Sequence, residues 1–461
     1  MRAKFRNRTR QSPGDVLPCA TRGPGDRMAI GVSEQVEAGE AAAARSFLGW
    51  RMVGVGFIAN SLSGAITLSA FGNFVDPVSV DFGVSRATIG YGVSISFLVM
   101  GLLGPFSGAW LDRGRARSMM VVGVLLAGAG LILLSRTTEL WQAGLLFCGV
   151  IALGAALFGI MPSMALIAQW FEKRRGIAIG MAVAGATLAS YPAPVLAEYL
   201  IGSEGWRTAV MVFGAGTLLL GLPVFWGFVI SRPEEVGQRP DGEAHPDPEG
   251  PEPETDPGIP LRDTAELARD PRLWMLAIGF GLILTSPIVL TPLLVPFGKD
   301  LGFTGQQANV FFLAMIPFSL LGKIVIGGLA DVAPIRPAMA LVVLANMLMW
   351  FSFHAGPGYA AFVVTGAIYG LGIGGAMPLQ GVAIGRCFGR ANFGRASGLG
   401  GLVTIPLIAA ASALSQVLLA STGNYQATFL VQMGLIGLGG VLLFLVRIPA
   451  SEAEGAAVAV P

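Results

Sequence analysis

Charge is scarce in this chain. Of 461 residues only 13% are Asp, Glu, Lys or Arg, about half of what a soluble domain carries. Histidine occurs twice and cysteine three times. Two histidines are too few for a metal centre. Cys19, Cys148 and Cys387 show neither metal nor redox spacing and need form no disulfide. No Gly-rich run ends in the Lys-Ser/Thr pair that cradles nucleotide phosphates, so ATP hydrolysis is not implied. No Ser/His/Asp set can assemble. The chain is therefore not expected to be an enzyme, and no cofactor or metal is expected. The short basic start, "MRAKFRNRTR", is too little to argue for nucleic acid. The segment 1–48 holds no apolar run, so no cleavable signal peptide is expected. It reads as a disordered tail, and Met28 is an alternative start that the sequence does not decide.

Apolar surface is what the chain has in excess. It is 53% hydrophobic with mean hydropathy +0.68. Apolar stretches of bilayer-crossing length, about 20 residues, recur from residue 52 to residue 446. We read twelve: 52–74, 87–110, 118–135, 141–168, 176–201, 207–230, 273–296, 305–330, 337–354, 359–382, 395–419 and 425–446. The fold class is thus an all-α membrane protein of twelve transmembrane helices. The 65 glycines fit close helix packing. Gly and Pro interrupt "SYPAPV" (Ser190 to Val195) and "GAMPLQG" (Gly375 to Gly381), which predicts broken helices facing a cavity.

Of the 30 Lys and Arg, 25 fall in the N-terminal tail, the loops after even-numbered spans and the C-terminal tail. Only Arg86, Arg136, Arg207 and Lys299 fall in the opposite loops. That bias predicts both termini in the cytoplasm. It leaves Lys323 belonging to no loop.

The chain divides into a tail (1–48), a six-helix half (49–231), a linker rich in Pro and acidic residues (232–268), a second half (269–447) and a C-terminal tail (448–461). The linker composition cannot form a packed core and reads as a solvated spacer. The halves repeat. "GAWLDRGRAR" (Gly108 to Arg117) follows span two, and "GGLADVAPIR" (Gly327 to Arg336) follows span eight. "RRGIAIG" (Arg174 to Gly180) opens span five, and "NFGRASG" (Asn392 to Gly398) opens span eleven. The step from Gly108 to Gly327 matches the step from Gly176 to Gly394 to within one position. Parallel six-helix repeats around a midplane site are a transporter architecture.

The G-x-x-x-D-R with trailing basic residues resembles the signature of the major facilitator superfamily. Together with "GWRMVGVGFI", "GPFSGAWLDRGRAR", "WFEKRRGIAIGMAVAG", "GWRTAVMVFG" and "RPEEVGQRPDG", it is similar to the branch of oxalate/formate antiporters and monocarboxylate porters. The resemblance covers nearly all of the chain outside the tails and linker. It implies the major facilitator fold and a multi-pass carrier of small organic anions, a monomer in the plasma or inner membrane.

Lys323 stands eight residues before Asp331, roughly 12 Å inside the helix end at 1.5 Å per residue. Its burial costs about 3 kcal/mol on insertion scales. It either pairs structurally or binds a substrate anion, and Glu198 is the one acidic residue within a span. In the resembled families a basic residue four before the signature Gly meets the substrate carboxylate, and Lys323 is four before Gly327. Two departures follow from the same resemblance. Ser319 replaces the Asp of proton-moving porters, and Leu68 replaces a helix-one Lys. Span eleven also lacks the second basic residue of dicarboxylate carriers, having only Arg395 at its mouth. One buried cation favours a monoanion, because a second desolvated carboxylate would have no partner. Coupling is expected as proton symport or anion exchange, so protons are a partner in one case. The other expected reading is a receptor on the same fold that binds without transporting.

Asn60, Ser63, Tyr91, Tyr191, Tyr369 and Gln380 are polar groups within spans that can line a cavity or bond helix to helix. Tyr191 and Tyr369 stand near the Gly/Pro breaks. Asn346 reads as structural and His354 as a surface residue. Asp112, Arg113 and Arg117 are the candidates for a charge gate between the halves, with Asp331 as their second-half copy. No Arg follows Asp331, so its contribution is expected to be weaker. Arg115 also fills a slot that is Gly in the family. "WFEKRRG" (Trp170 to Gly176) reads as an interfacial anchor.

Overall fold

The computed structural model describes residues 47–66, 71–190, 192–242 and 260–449. Tyr191, Leu68, Cys19 and Met28, both outer tails and the linker centre lie outside the described residues. Ten helical runs are long and apolar enough to cross a membrane. The run Arg175–Phe228 turns at Gly205 (φ 82°) and makes two spans, and span one is described in two parts, Gly49–Gly64 and Phe71–Asp81, which brings the number to twelve. Span two is Arg86–Leu102 continued by Gly104–Asp112, and span three is Ala116–Leu134. Span four runs over 140–170 through a π-helical section, Leu145–Ile151. Span five begins with Arg175–Ala189 and ends before Gly205; span six follows to Phe228. The second half is more regular: Pro271–Asp300, Gly305–Val332, Ile335–Ala355, Tyr359–Phe388, Phe393–Thr422 and Gln426–Leu445 are spans seven to twelve.

The span starts are written locally. Ser85 accepts the Thr88 N–H ahead of span two. Thr304 and Gln307 form a reciprocal capping box ahead of span eight. Asp270 caps span seven, with Pro271 at the first helical position. The Arg272 side chain bonds the same carboxyl at 2.7 Å and holds it below the usual carboxylate range. In the second half Phe311, Trp350, Phe353, Phe362, Tyr369 and Phe429 form one aromatic core.

Three expectations need correction. Span ten is not broken at "GAMPLQG"; it is one helix across Pro378. The proline ring lies over Gly180 and Gly327, so a neighbour packs where the helix lost its hydrogen bond. "WFEKRRG" is not an interfacial anchor. Trp170 and Phe171 are fully buried, and the Trp170 indole N–H donates to Ile230 O at 3.0 Å. The linker, finally, is no free spacer at its described ends. Pro233–Val236 forms a 3-10 turn, Pro240–Gly242 a tight turn with non-helical backbone at Asp241, and Thr264–Arg269 a short helix, and these ends bond to the helical bundle.

Candidate functional site

The halves meet along two seams, span two against span eleven and span five against span eight. Both are built of glycine. Gly104 faces Gly398, and Gly108 faces Gly394. Gly176 faces Gly327, and Gly180 faces the Lys323 carbonyl. A methyl on Gly104 would stand 2.5 Å from Gly398 O, and one on Gly327 2.5 Å from Gly176 O. Only residues without Cβ allow this approach. The seams are repeat copies, since Gly104, Gly108 and Asp112 follow one another at the same spacing as Lys323, Gly327 and Asp331 and map onto them at one constant offset. Lys323 therefore occupies, in the second seam, the place of a bare glycine in the first.

The end of the bundle that carries the linker is closed by carboxylates on helix starts. The two oxygens of Asp112 accept the backbone N–H groups of Gly394 and Arg395, each at 3.0 Å. The two oxygens of Asp331 accept Gly176 N–H at 2.6 Å and Ile177 N–H at 3.0 Å. Each aspartate thus ends a helix in one half and caps a helix N-terminus in the other. Two orphan donors are satisfied and the helix dipole favours the charge. Arg395 adds a charged contact to Asp112 at 3.6 Å, and Arg232 donates to the Asp112 carbonyl. Arg113 is exposed. Arg117 donates to Val229 O at 2.7 Å within its own half. So among the described residues the arginines of the signature do not carry the cross-half contact. Asp331 reaches across without a following Arg, because its partners are backbone N–H groups, two in number as for Asp112.

Lys323 is 7% exposed. Its ammonium donates to Ser319 Oγ at 3.0 Å, one turn away on the same helix. No salt bridge reaches it among the described residues, and Glu198 is exposed. An ammonium carries three donors, so a buried cation stands at the seam with donors to spare.

The remaining candidates scatter. Asn60 is a tie between helices: its amide donates to Ser163 Oγ at 2.8 Å, Gly56 O at 2.8 Å and Ala182 O at 3.2 Å, joining spans one, four and five. Ser63 is buried beside Gly159, where span four breaks. Tyr369 is fully buried in the aromatic core, its ring 6.3 Å from that of Phe311. Gln380 is buried near the second seam with Oε1 unbonded. Tyr91 is exposed and lines an apolar cavity of about 330 Å³ inside the first half, away from the seams. A cavity of about 60 Å³ borders the first seam at Gly104, Ser107 and Ser397. Asn346 donates to Val342 O at 2.8 Å on its own helix. His354 is partly buried at the end of span nine.

Several residues at the closed end escaped the sequence reading. Arg175 is buried, donating to Phe171 O at 3.0 Å and lying against Gly385 of the other half. Gln169 donates to Arg390 O at 2.8 Å, and Arg390 pairs with Glu234 at 2.7 Å and Glu172 at 3.7 Å. The repeat offset was a usable signal, because Glu172 and Arg390 are separated by the same step as Gly176 and Gly394.

A family model described as Major Facilitator Superfamily matches residues 53–353. Monocarboxylate transporter 2 of Meriones unguiculatus is 24% identical over 416 residues, covering 86% of this chain and 83% of its own. Monocarboxylate transporter 3 of Rattus norvegicus is 28% identical over 414 residues, covering 86% and 79%. The MFS-type transporter pynF of Aspergillus niger is 25% identical over 321 residues, 69% of each chain. Among solved structures, a double Trp mutant of XylE aligns with a TM-score of 0.66 at 12% identity, covering 89% of this chain and 98% of that one. The human organic anion transporter MFSD10 aligns with a TM-score of 0.59 at 15% identity, covering 87% and 99%. At such identities the two structures speak for the fold.

Proposed function

The chain belongs to the Major Facilitator Superfamily, as an integral multi-pass transporter of small molecules, and on that premise we propose that it carries a small organic monocarboxylate by alternating access, with Lys323 as the counter-ion. The observation that carries this reading is the buried ammonium at a seam between halves, bonded among the described residues only to a neutral hydroxyl. A carboxylate entering there meets a desolvated charge with free donors, and a charge-assisted bond of that kind is roughly twice as strong as a neutral one. The named resemblance to monocarboxylate transporters 2 and 3 supports the same substrate class. Ser319 helps by orienting the ammonium. Tyr369 and Asn60 serve the packing of their halves in this reading, and Ser63, Gln380 and Ser397 are the remaining buried polar groups to test.

With one cation and no carboxylate beside it among the described residues, anion exchange is the coupling we favour over proton symport. The loaded carrier has a neutral site and crosses more easily than the empty one, whose ammonium must stay desolvated and unpaired. The halves rock about the glycine seams, and the Asp112 and Asp331 caps form when the linker end closes. The linker end is the cytoplasmic one in this reading. Counterflow in proteoliposomes tests the proposal with labelled lactate, pyruvate, formate and oxalate. Exchange of monoanions without a pH gradient is expected. Preference for oxalate over every monoanion would overturn the one-cation argument.

A further inference from the structure

Asp241 is the one non-glycine residue with a left-handed backbone among the described residues (φ 58°, ψ 4°). Such a conformation costs energy unless something holds it. Its carboxylate supplies the hold. Oδ2 accepts the N–H groups of Glu172 and Lys173, both at 2.8 Å, and Oδ1 accepts that of Arg174 at 3.3 Å. These three residues are the lead-in to span five. The N–H groups of Gly176 and Ile177, just beyond, are those taken by Asp331 across the seam. One helix start is thus held by two carboxylates, one from the linker and one from the opposite half.

The other described end of the linker does the same for the repeat-related helix. Asn392, at the start of span eleven, accepts Arg262 N–H at 2.7 Å and donates to Pro260 O at 3.0 Å. Arg395 donates to Arg262 O at 2.7 Å. The following N–H groups, of Gly394 and Arg395, are those taken by Asp112. Between the two ends, Glu234 of the linker pairs with Arg390 of the second half at 2.7 Å.

We propose that the linker is a strap that positions the gate: residues 233–242 and 260–262 aim the starts of spans five and eleven at Asp331 and Asp112, and Asp241 is the positioning residue of the first. The strap favours the state closed at the linker end. It sets how often the carrier opens there, beyond tying two halves together. This rests on the rocking reading above.

The test is the distance between spin labels at two exposed sites on opposite halves, Ser118→Cys and Arg336→Cys, with Cys19, Cys148 and Cys387 replaced. Asp241→Gly is the informative variant. Glycine accepts the left-handed backbone without strain, so the turn survives while both acceptor oxygens and their three hydrogen bonds go. Without substrate the ratio of long to short distances is expected to rise about tenfold, in line with the loss of hydrogen bonds to a charged group. Asp241→Asn keeps one acceptor and is expected to fall between. Asn392→Ala is expected to shift the ratio the same way through span eleven. A parental distribution in Asp241→Gly and Asn392→Ala, while substrate still widens the parent, would overturn the strap alone. If neither substrate nor any variant moves the distances, the rocking reading falls with it.

Discussion

Replacing Lys323 by Gln separates stability from function, because the two should move in opposite directions. The ammonium is 7% exposed, has no carboxylate partner among the described residues and donates once, to Ser319 at 3.0 Å. Placing such a charge within a span costs about 3 kcal/mol. The glutamine amide is neutral, one bond shorter, and keeps the capacity to donate to a hydroxyl such as that of Ser319. The variant should therefore be as stable as the parent or more so, by about 1–3 kcal/mol. Transport should suffer. A hydrogen bond from a charged group is worth about 1.5–3 kcal/mol, and about 1.4 kcal/mol is tenfold in affinity. Apparent affinity for the monocarboxylate should drop roughly 10- to 150-fold. The assay is exchange in proteoliposomes across substrate concentrations, with thermal unfolding of the same purified samples. Parental exchange in Lys323→Gln would refute the counter-ion assignment. A clear loss of thermal stability would show the lysine to be a structural partner, which would refute the reasoning from its missing carboxylate.

Three further outcomes are expected. Ser319→Asp places a carboxylate within reach of Lys323, so monoanion exchange should weaken at neutral pH and recover as acid protonates the new group; a flat pH profile between about 5 and 8 would contradict this. Asp112→Asn and Asp331→Asn should loosen the linker end to a similar degree, since each original carboxylate holds two backbone N–H groups; a spin-label distance that responds to only one of them would deny the equivalence. Asn60→Ala should cost about 1 kcal/mol of stability, the scale of side-chain bonds between membrane helices, while leaving the apparent affinity alone; a raised KM with unchanged stability would return Asn60 to the substrate site.

The repeat illustrates how sequence and structure share the work. "GAWLD" and "GGLAD", and "RGIAIG" and "FGRASG", are visible as text. Their spacing announces two equivalent pairs of helix ends. It does not say that the partner of each Asp is a backbone N–H in the opposite half, because backbone donors leave no mark in composition. Asp331 has no Arg after it in the sequence, and its partners across the seam are the N–H groups of Gly176 and Ile177. Tyr369 misled for a related reason. A polar tip on an aromatic ring reads the same in a cavity wall and in a core, and only the surrounding Phe311, Phe353 and Phe362 distinguish them.

The sequence by itself determined the class, the twelve spans, the duplication and the misplaced charge of Lys323. Each follows from local quantities, namely apolar length, charge bias and self-similarity. Only the tertiary structure decided that Gly104 and Gly108, the repeat counterparts of Lys323 and Gly327, build the opposite seam. It alone decided that the Asn60 amide is bonded within its own half, and that Asp241 of the Pro-rich linker accepts the N–H groups leading into span five. Those depend on which helix ends meet in space, and chain-distant donors and acceptors find each other only once the halves are packed.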